Sequence, residues 1–239
     1  DDPPTAYSKW RIDFPFLPAA FRWSEVWMHV HRARVAGQTR SLAWRLLHRK
    51  LPLRSHQWVR TLTASSPQCL LCGEQEETYL HLFCTCPMIQ PFWNIIYQLL
   101  RRMQMKGVRT SPANIVLGNL RHLHEMPHIR WDPTLPPPDH NHVTRWAQQV
   151  WAVLRLTTLN CIWTLRNTVR LQPASTAGQH RTLLLPKLWG QLRTLAVAHR
   201  YPPHEAIKKG VHQQRFFDYC WDAITPVILQ RLHIPVLLG

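Results

Sequence analysis

The chain has 239 residues, 45% of them hydrophobic and twelve of them tryptophan, so it can bury a core and is neither a solvating tail nor a low-complexity segment. Twenty-nine Lys and Arg against thirteen Asp and Glu give a formal charge of +16, which favours a polyanionic partner. That partner could be nucleic acid or an anionic membrane surface; no uninterrupted apolar run approaches the roughly eighteen to twenty residues that a membrane span requires, so membrane insertion is excluded, and nucleic acid, with no membrane, is the expected partner.

Residues 1–21 hold Pro3, Pro4, Pro15 and Pro18 and read as an extended arm lying along the domain through Trp10, Phe14, Phe16 and Phe21. No signal-peptide pattern is visible at Asp1-Asp2-Pro3-Pro4, and a processed or excised piece is expected. From Ser24, a possible cap, a helix carries Trp27, Val30 and His31 on one side and ends near Gly37. A second helix over Ser41 to Leu51 is stopped by Pro52. Its Arg40, Arg45, His48, Arg49 and Lys50 have no local counter-charge, because no acid lies between Glu25 and Glu74. A short third helix with Trp58, Val59 and Leu62 follows.

Cys69 to Cys86 concentrates four of the six cysteines within eighteen positions. Cys69 and Cys72 are separated by two residues, His81 follows after eight more, and Cys86 after another four. That spacing supplies three thiolates and one imidazole for one tetrahedral zinc, with no open position for water, so the metal is structural. Cys84, three residues after His81, is the alternative fourth ligand. Two disulfides are disfavoured, because disulfide scaffolds belong to short secreted chains. Reduced thiols for zinc fit a nuclear or cytoplasmic setting, which is the expected location. Gly73 can take a positive φ after the Cys-x-x-Cys turn. Thr78 is placed to cap a short helix bearing His81, and Cys86 precedes Pro87 at the start of an amphipathic helix over Met88 to Met105.

Residues 107–142 are rich in Pro and His and read as a linker with one short helix near Ile115. Their histidines lack a partnering thiolate and belong to a solvated loop. From Thr144 to about Leu171 a long helix resumes, with Val150, Val153, Leu154, Thr157, Cys161 and Leu165 on one side. At 3.6 residues per turn Arg145, Arg155, Arg166 and Arg170 gather on the other side, with Trp163 and Asn167 among them. The arginines are expected at the surface. Trp163 either stacks a base or packs on a neighbouring helix, and both readings stay open. Further helices are expected over 175–200 and 215–224, with an apolar C-terminal segment docked on the core.

Several residues now form an ordered set: Trp27, Trp44-Arg45-Leu46-Leu47-His48, Leu51-Pro52-Leu53, Cys69, Cys72, Glu77-Thr78, His81-Leu82-Phe83, Cys86-Pro87 and Trp93, then Ile162-Trp163-Thr164-Leu165-Arg166-Asn167. This set resembles the zinc-binding region that follows the reverse transcriptase domain in non-LTR, LINE-type retrotransposons, over about residues 22–170. The resemblance implies zinc ligation by Cys69, Cys72, His81 and Cys86 and a role in holding template RNA or target DNA beside a reverse transcriptase domain of the same polyprotein. The polymerase Tyr-x-Asp-Asp hairpin has no counterpart, and after His140 the only acids are Glu205, Asp218 and Asp222. The piece is therefore not expected to be an enzyme.

The reading is an all-α, irregular helical bundle organised around a structural Cys-Cys-His-Cys zinc knuckle, with one zinc. Its parts are an arm (1–21), a zinc-binding helical domain (22–107), a Pro/His-rich linker (108–142) and a C-terminal helical domain (143–239). Arg45, Arg49, Lys50, Arg145, Arg155, Trp163, Arg166 and Arg170 are the candidate contacts to RNA or DNA. The competing reading is a protein-docking scaffold whose tryptophan-rich helices bind another subunit.

Overall fold

The structure, a computed structural model, describes residues 5–17, 21–33, 35–63, 66–102, 111–118, 140–171, 188 and 190. Among these residues there is helix and no strand beyond an antiparallel bridge between Gln68 and Glu76.

Segment 1–21 departs from the extended arm expected of it. Helix α1 runs Thr5–Asp13, because the four prolines flank those nine residues and none interrupts them. The helix carries Trp10 fully into the core, where its indole Nε1 donates to the Leu47 carbonyl at 2.9 Å. Phe14 and Phe21 are buried as well, whereas Phe16 is exposed.

Helix α2, Trp23–Arg32, buries Val26 and Val30. It begins one residue before Ser24, and Arg22 at its N-cap makes no side-chain cap. Helix α3, Gly37–Leu47, buries Thr39, Leu42, Ala43, Leu46 and Leu47 at helical spacing. It stops four residues short of Leu51, since Arg49 adopts φ +53 and turns the chain before Pro52 is reached. Helix α4 is Gln57–Thr63. After the cysteine turn a π-helical turn, His81–Thr85, and a 3-10 turn, Pro87–Ile89, lead into α5, Gln90–Arg102.

Part of the expected linker belongs to the core. Helix α6, Pro112–Leu117, is capped by the Ser111 hydroxyl, which accepts from Asn114 N, and closed by Gly118 in the left-handed region. Its Ala113 to Leu117 are all buried. Helix α7, His140–Leu171, is the central element and packs against α2, α3, α5 and the π-helical turn. Every residue from Trp151 to Trp163 is buried, so this helix has no solvent face over that stretch. One hydrophobic cluster runs from Ala6 through α7 to Leu188. The remaining residues of 175–200, all of 215–224 and the C-terminal segment lie outside the described residues, as does most of the linker with His122, His124 and His128, whereas His140 and His142, expected in the loop, open α7. Among the described residues no helix is long and apolar enough to cross a membrane.

Candidate metal centre and the basic residues

The cysteine turn is built by its backbone. Cys69 N donates to Gln75 O, Gly73 N donates to Cys69 O, and Gly73 sits at φ +75, where a residue without Cβ carries no strain. These bonds fold residues 69–75 into a knuckle that aims the Cys69 and Cys72 sulfurs the same way. The Thr78 hydroxyl then accepts from His81 N at 3.0 Å, as a cap should, and starts the turn that bears the imidazole.

His81 and Cys86 are five residues apart, and on a regular α-helix they would point about 140° away from each other. The chain resolves this by widening. Cys86 N donates to His81 O at 2.8 Å, an i to i+5 closure that brings both side chains to one side. Cys86 is also the residue before Pro87 and so is fixed from both directions.

The four ligand atoms of Cys69, Cys72, His81 and Cys86 all lie within 4.8 Å of one another. Cys69 Sγ is 4.0 Å from Cys86 Sγ, and Cys72 Sγ is 3.2 Å from His81 Nε2. Ligand bond lengths in a tetrahedral zinc site place two sulfurs about 3.8 Å apart and sulfur and nitrogen about 3.6 Å apart, so these two pairs lie within a few tenths of an ångström of that spacing and the set as a whole within about 1 Å. Cys69, His81 and Cys86 are buried and Cys72 is half-buried. The hydrogen bond from Cys86 holds the Cys69 thiol down to about 5, against burial and with help from the Cys72 and Leu71 N–H groups. The same contact, with burial, pushes Cys86 up. The pair thus carries one negative charge and one proton, which a metal would displace.

Cys84 is not part of the set. Its sulfur faces the Pro112 carbonyl at 4.0 Å, and burial pushes its thiol far above the ordinary range. The choice between Cys84 and Cys86 is settled by the π-helical turn, which sends Cys84 to α6 and Cys86 to the cluster.

Next to the metal set is a residue to which spacing alone assigns no role. Glu77 is fully buried, and its carboxylate accepts from Arg54 N at 3.0 Å, Leu70 N at 3.2 Å, Arg166 Nε at 3.2 Å and Arg166 Nη2 at 2.8 Å. Arg166 Nη2 also donates to Pro52 O at 3.0 Å, and Arg166 Nη1 donates to Asn167 Oδ1 at 3.2 Å. The ion pair ties the cysteine knuckle, the turn after α3 and α7 together across 89 positions of sequence. Its signal in the sequence is Glu-Thr before His81 and Arg-Asn on the long helix, two dipeptides that no periodicity joins.

The expected surface stripe on α7 is corrected by this arrangement. Arg166 is 1% exposed and Arg155 is 1% exposed. Arg155 Nη1 donates to the carbonyls of Ile115 at 3.1 Å and Val116 at 3.0 Å, at the end of α6 where orphan carbonyls and the helix dipole favour a cation. The 3.6-residue register holds, but both faces of α7 are covered, so the polar face supplies internal links. Trp163 is buried with the Arg166 guanidinium 5.1 Å from its ring, which favours packing over base stacking. Arg170 is exposed, and the Arg145 side chain lies outside the described residues.

On α3 the placement is mixed. Arg45 and Lys50 are exposed. Arg49 is engaged, paired with Asp13, donating to Lys9 O at 3.2 Å and lying over the rings of Trp10 and Tyr79. Its positive φ turns the side chain back onto α1, away from solvent. Beside Arg45 a second feature appears, a stack of Trp44, His48 and Trp27.

Neither the comparison with curated proteins nor that with solved structures gave a match. Residues 7–93 match the family described as zinc-binding in reverse transcriptase, a stretch from α1 into the first turn of α5 that holds all four ligands and Glu77 but not Arg166. Residues 7–93 are thus similar to a zinc-binding region of reverse transcriptases, and they hold the four residues whose ligand atoms could share one zinc.

Proposed function

We propose that this chain is the nucleic-acid-binding zinc module of a non-LTR retrotransposon polyprotein, or of a host protein derived from one. In this reading it holds template RNA or target DNA for a reverse transcriptase domain and catalyses nothing itself. The carrying observation is the acid-free run from Val26 to Gly73, which holds eight Lys and Arg and is folded into α2, α3 and α4. Arg32, Arg45 and Lys50 of that run are exposed. Of the acids before the run, Glu25 lies 3.9 Å from Arg22 and Asp13 is paired with Arg49, whereas Glu74 and Glu76 directly after it are exposed. An uncompensated cationic surface binds phosphates by releasing counterions.

In this scheme zinc supplies rigidity and no chemistry, since Cys69, Cys72, His81 and Cys86 fill its coordination sphere. Those ligands and the Glu77–Arg166 pair fix the helices that present the cations. The test is a salt titration of binding to single-stranded RNA, a hairpin and duplex DNA by the zinc-loaded chain. Affinity should fall steeply with salt, and Arg45→Glu with Lys50→Glu should flatten the slope by about two phosphate contacts. A salt-independent affinity, or an unchanged slope in the double variant, would remove this reading.

The docking-scaffold reading keeps one observation in its favour. Trp58, 54% exposed, and Leu62, 78% exposed, lie one turn apart on the outer face of α4. Such a patch suits a protein partner, for instance the polymerase domain of the same polyprotein.

A further inference from the structure

Trp44 on α3 is 51% exposed, and it is not loose. Its ring lies 4.4 Å, centroid to centroid, from His48 at a tilt of 47°. His48 in turn stacks on Trp27 of α2 at 4.9 Å and 29°. His48 is the C-cap of α3, with its backbone N–H bonded to the Trp44 carbonyl, so the imidazole is placed by the turn itself. Three rings from two helices thus buttress one another, and only Trp44 keeps half its surface open. A single exposed tryptophan needs no explanation. One packed on an imidazole that is itself stacked on a second indole is restrained and offers a firm aromatic face.

The chemistry around the rings selects the occupant. Arg45 adjoins Trp44, Lys50 follows His48 by two residues, and His31 and Arg32 lie one turn beyond Trp27 and Met28 on α2. All four are exposed, and the run from Val26 to Gly73 that contains them holds no carboxylate. Burial and the neighbouring Lys50 push the His48 imidazole below its ordinary range, so at neutral pH it is an uncharged member of the stack. An apolar protein segment would gain from the rings but nothing from the exposed Arg32, Arg45 and Lys50 that lie near them in sequence. A base with phosphates on either side gains from both. In a duplex the base faces are hidden in the stack, so only an unpaired base can use Trp44.

We propose that the Trp44–His48–Trp27 stack is a platform on which an unpaired base of single-stranded nucleic acid stacks, while Arg45 and Lys50 take the flanking phosphates. The proposal rests on the nucleic-acid reading above and gives it a site. It moves the aromatic contact from Trp163, which is buried, to α3. Every base has a π face, so the platform is tolerant of sequence and of sugar.

The test uses the zinc-loaded full chain and four probes of equal length at one salt concentration: oligouridylate, oligodeoxythymidylate, an abasic deoxyribose-phosphate oligomer and a DNA duplex. Both base-bearing single strands should bind roughly tenfold more tightly than the abasic strand, which carries the same phosphates without bases. Trp44→Ala should erase that difference and leave the salt slope unchanged, and Trp44→Phe should restore part of it. Zinc content and circular dichroism report whether the variants fold, and the wild-type comparison with the abasic strand stands without them. Equal wild-type affinity for abasic and base-bearing strands, or a preference that survives Trp44→Ala, overturns the platform while leaving salt-dependent binding intact. Absence of salt-dependent binding to any probe overturns both the platform and the nucleic-acid reading.

Discussion

Arg166 Nη2 and Glu77 Oε1 meet at 2.8 Å with both side chains almost wholly buried, and around them converge the turn at Pro52, the cysteine knuckle at Leu70 and the long helix α7. Each carboxylate oxygen has a donor, and the guanidinium has three protein acceptors. Removing one partner would strand a buried charge. Arg166→Leu or Glu77→Leu alone should therefore cost about 3–5 kcal/mol of stability, and the double variant less than the sum of the two. A denaturant-unfolding cycle on the zinc-loaded protein measures this coupling. Additive losses would show that the pair is not the joint between the knuckle and α7.

The zinc site makes a sharp distinction between two cysteines that are two residues apart. Cys86→Ser removes a ligand and should abolish stoichiometric zinc at neutral pH, with loss of much of the helix signal near residues 79–89. Cys84→Ser should keep one zinc per chain, because that thiol faces Pro112 and not the cluster. Zinc in the purified variants, measured by metal analysis, decides the matter. Chelation of the wild-type protein should mimic Cys86→Ser, since a structural metal contributes its binding energy to folding.

The zinc ligands and the buried ion pair differ in how far sequence rules reach. Cys69, Cys72, His81 and Cys86 are legible because a metal imposes a short spacing, and Thr78 because a cap acts within three residues. The helices α3, α5 and α7 are legible because a 3.6-residue apolar pattern survives in them. The 3.6-residue pattern also groups Arg155 and Arg166, but it carries no information on whether the second face of a helix meets water or another helix. In α7 both faces are covered, and the arginines are links to residues 40 and 89 positions away. Helix α1 is hidden for a different reason: proline density over 21 residues says little about the nine between the prolines.

His29 gives the fold a dependence on pH separate from the metal. Burial, and then the nearby positive charge of Arg155, lower its imidazole from 6.5 to about 4. The unfolded chain therefore binds a proton between about pH 6.5 and 4 that the folded chain refuses. Stability from this group is complete above 6.5 and is lost progressively as pH falls to 4, by up to about 3 kcal/mol. Unfolding of wild type and His29→Gln should be followed across this range with zinc content monitored. The wild-type curve should be steeper, and parallel curves would assign the acid sensitivity to the zinc ligands alone.

Two glycines with positive φ should respond unequally to alanine. Gly73, at φ +75, has open space within 4 Å of where an added Cβ would sit, so Gly73→Ala meets only the backbone preference, about 1 kcal/mol. Gly118, at φ +66, closes α6, and a Cβ there would lie 2.8 Å from Arg155 Nη2 and 2.9 Å from Arg155 Cζ. That guanidinium cannot retreat easily, since it is fully enclosed and bonded to the Ile115 and Val116 carbonyls. Gly118→Ala must therefore combine the backbone cost with loss of the link between α6 and α7, and about 3 kcal/mol or more is expected. Urea unfolding of the two zinc-loaded variants compares them directly. If both substitutions cost the same, the close approach of Arg155 to Gly118 contributes nothing to the fold.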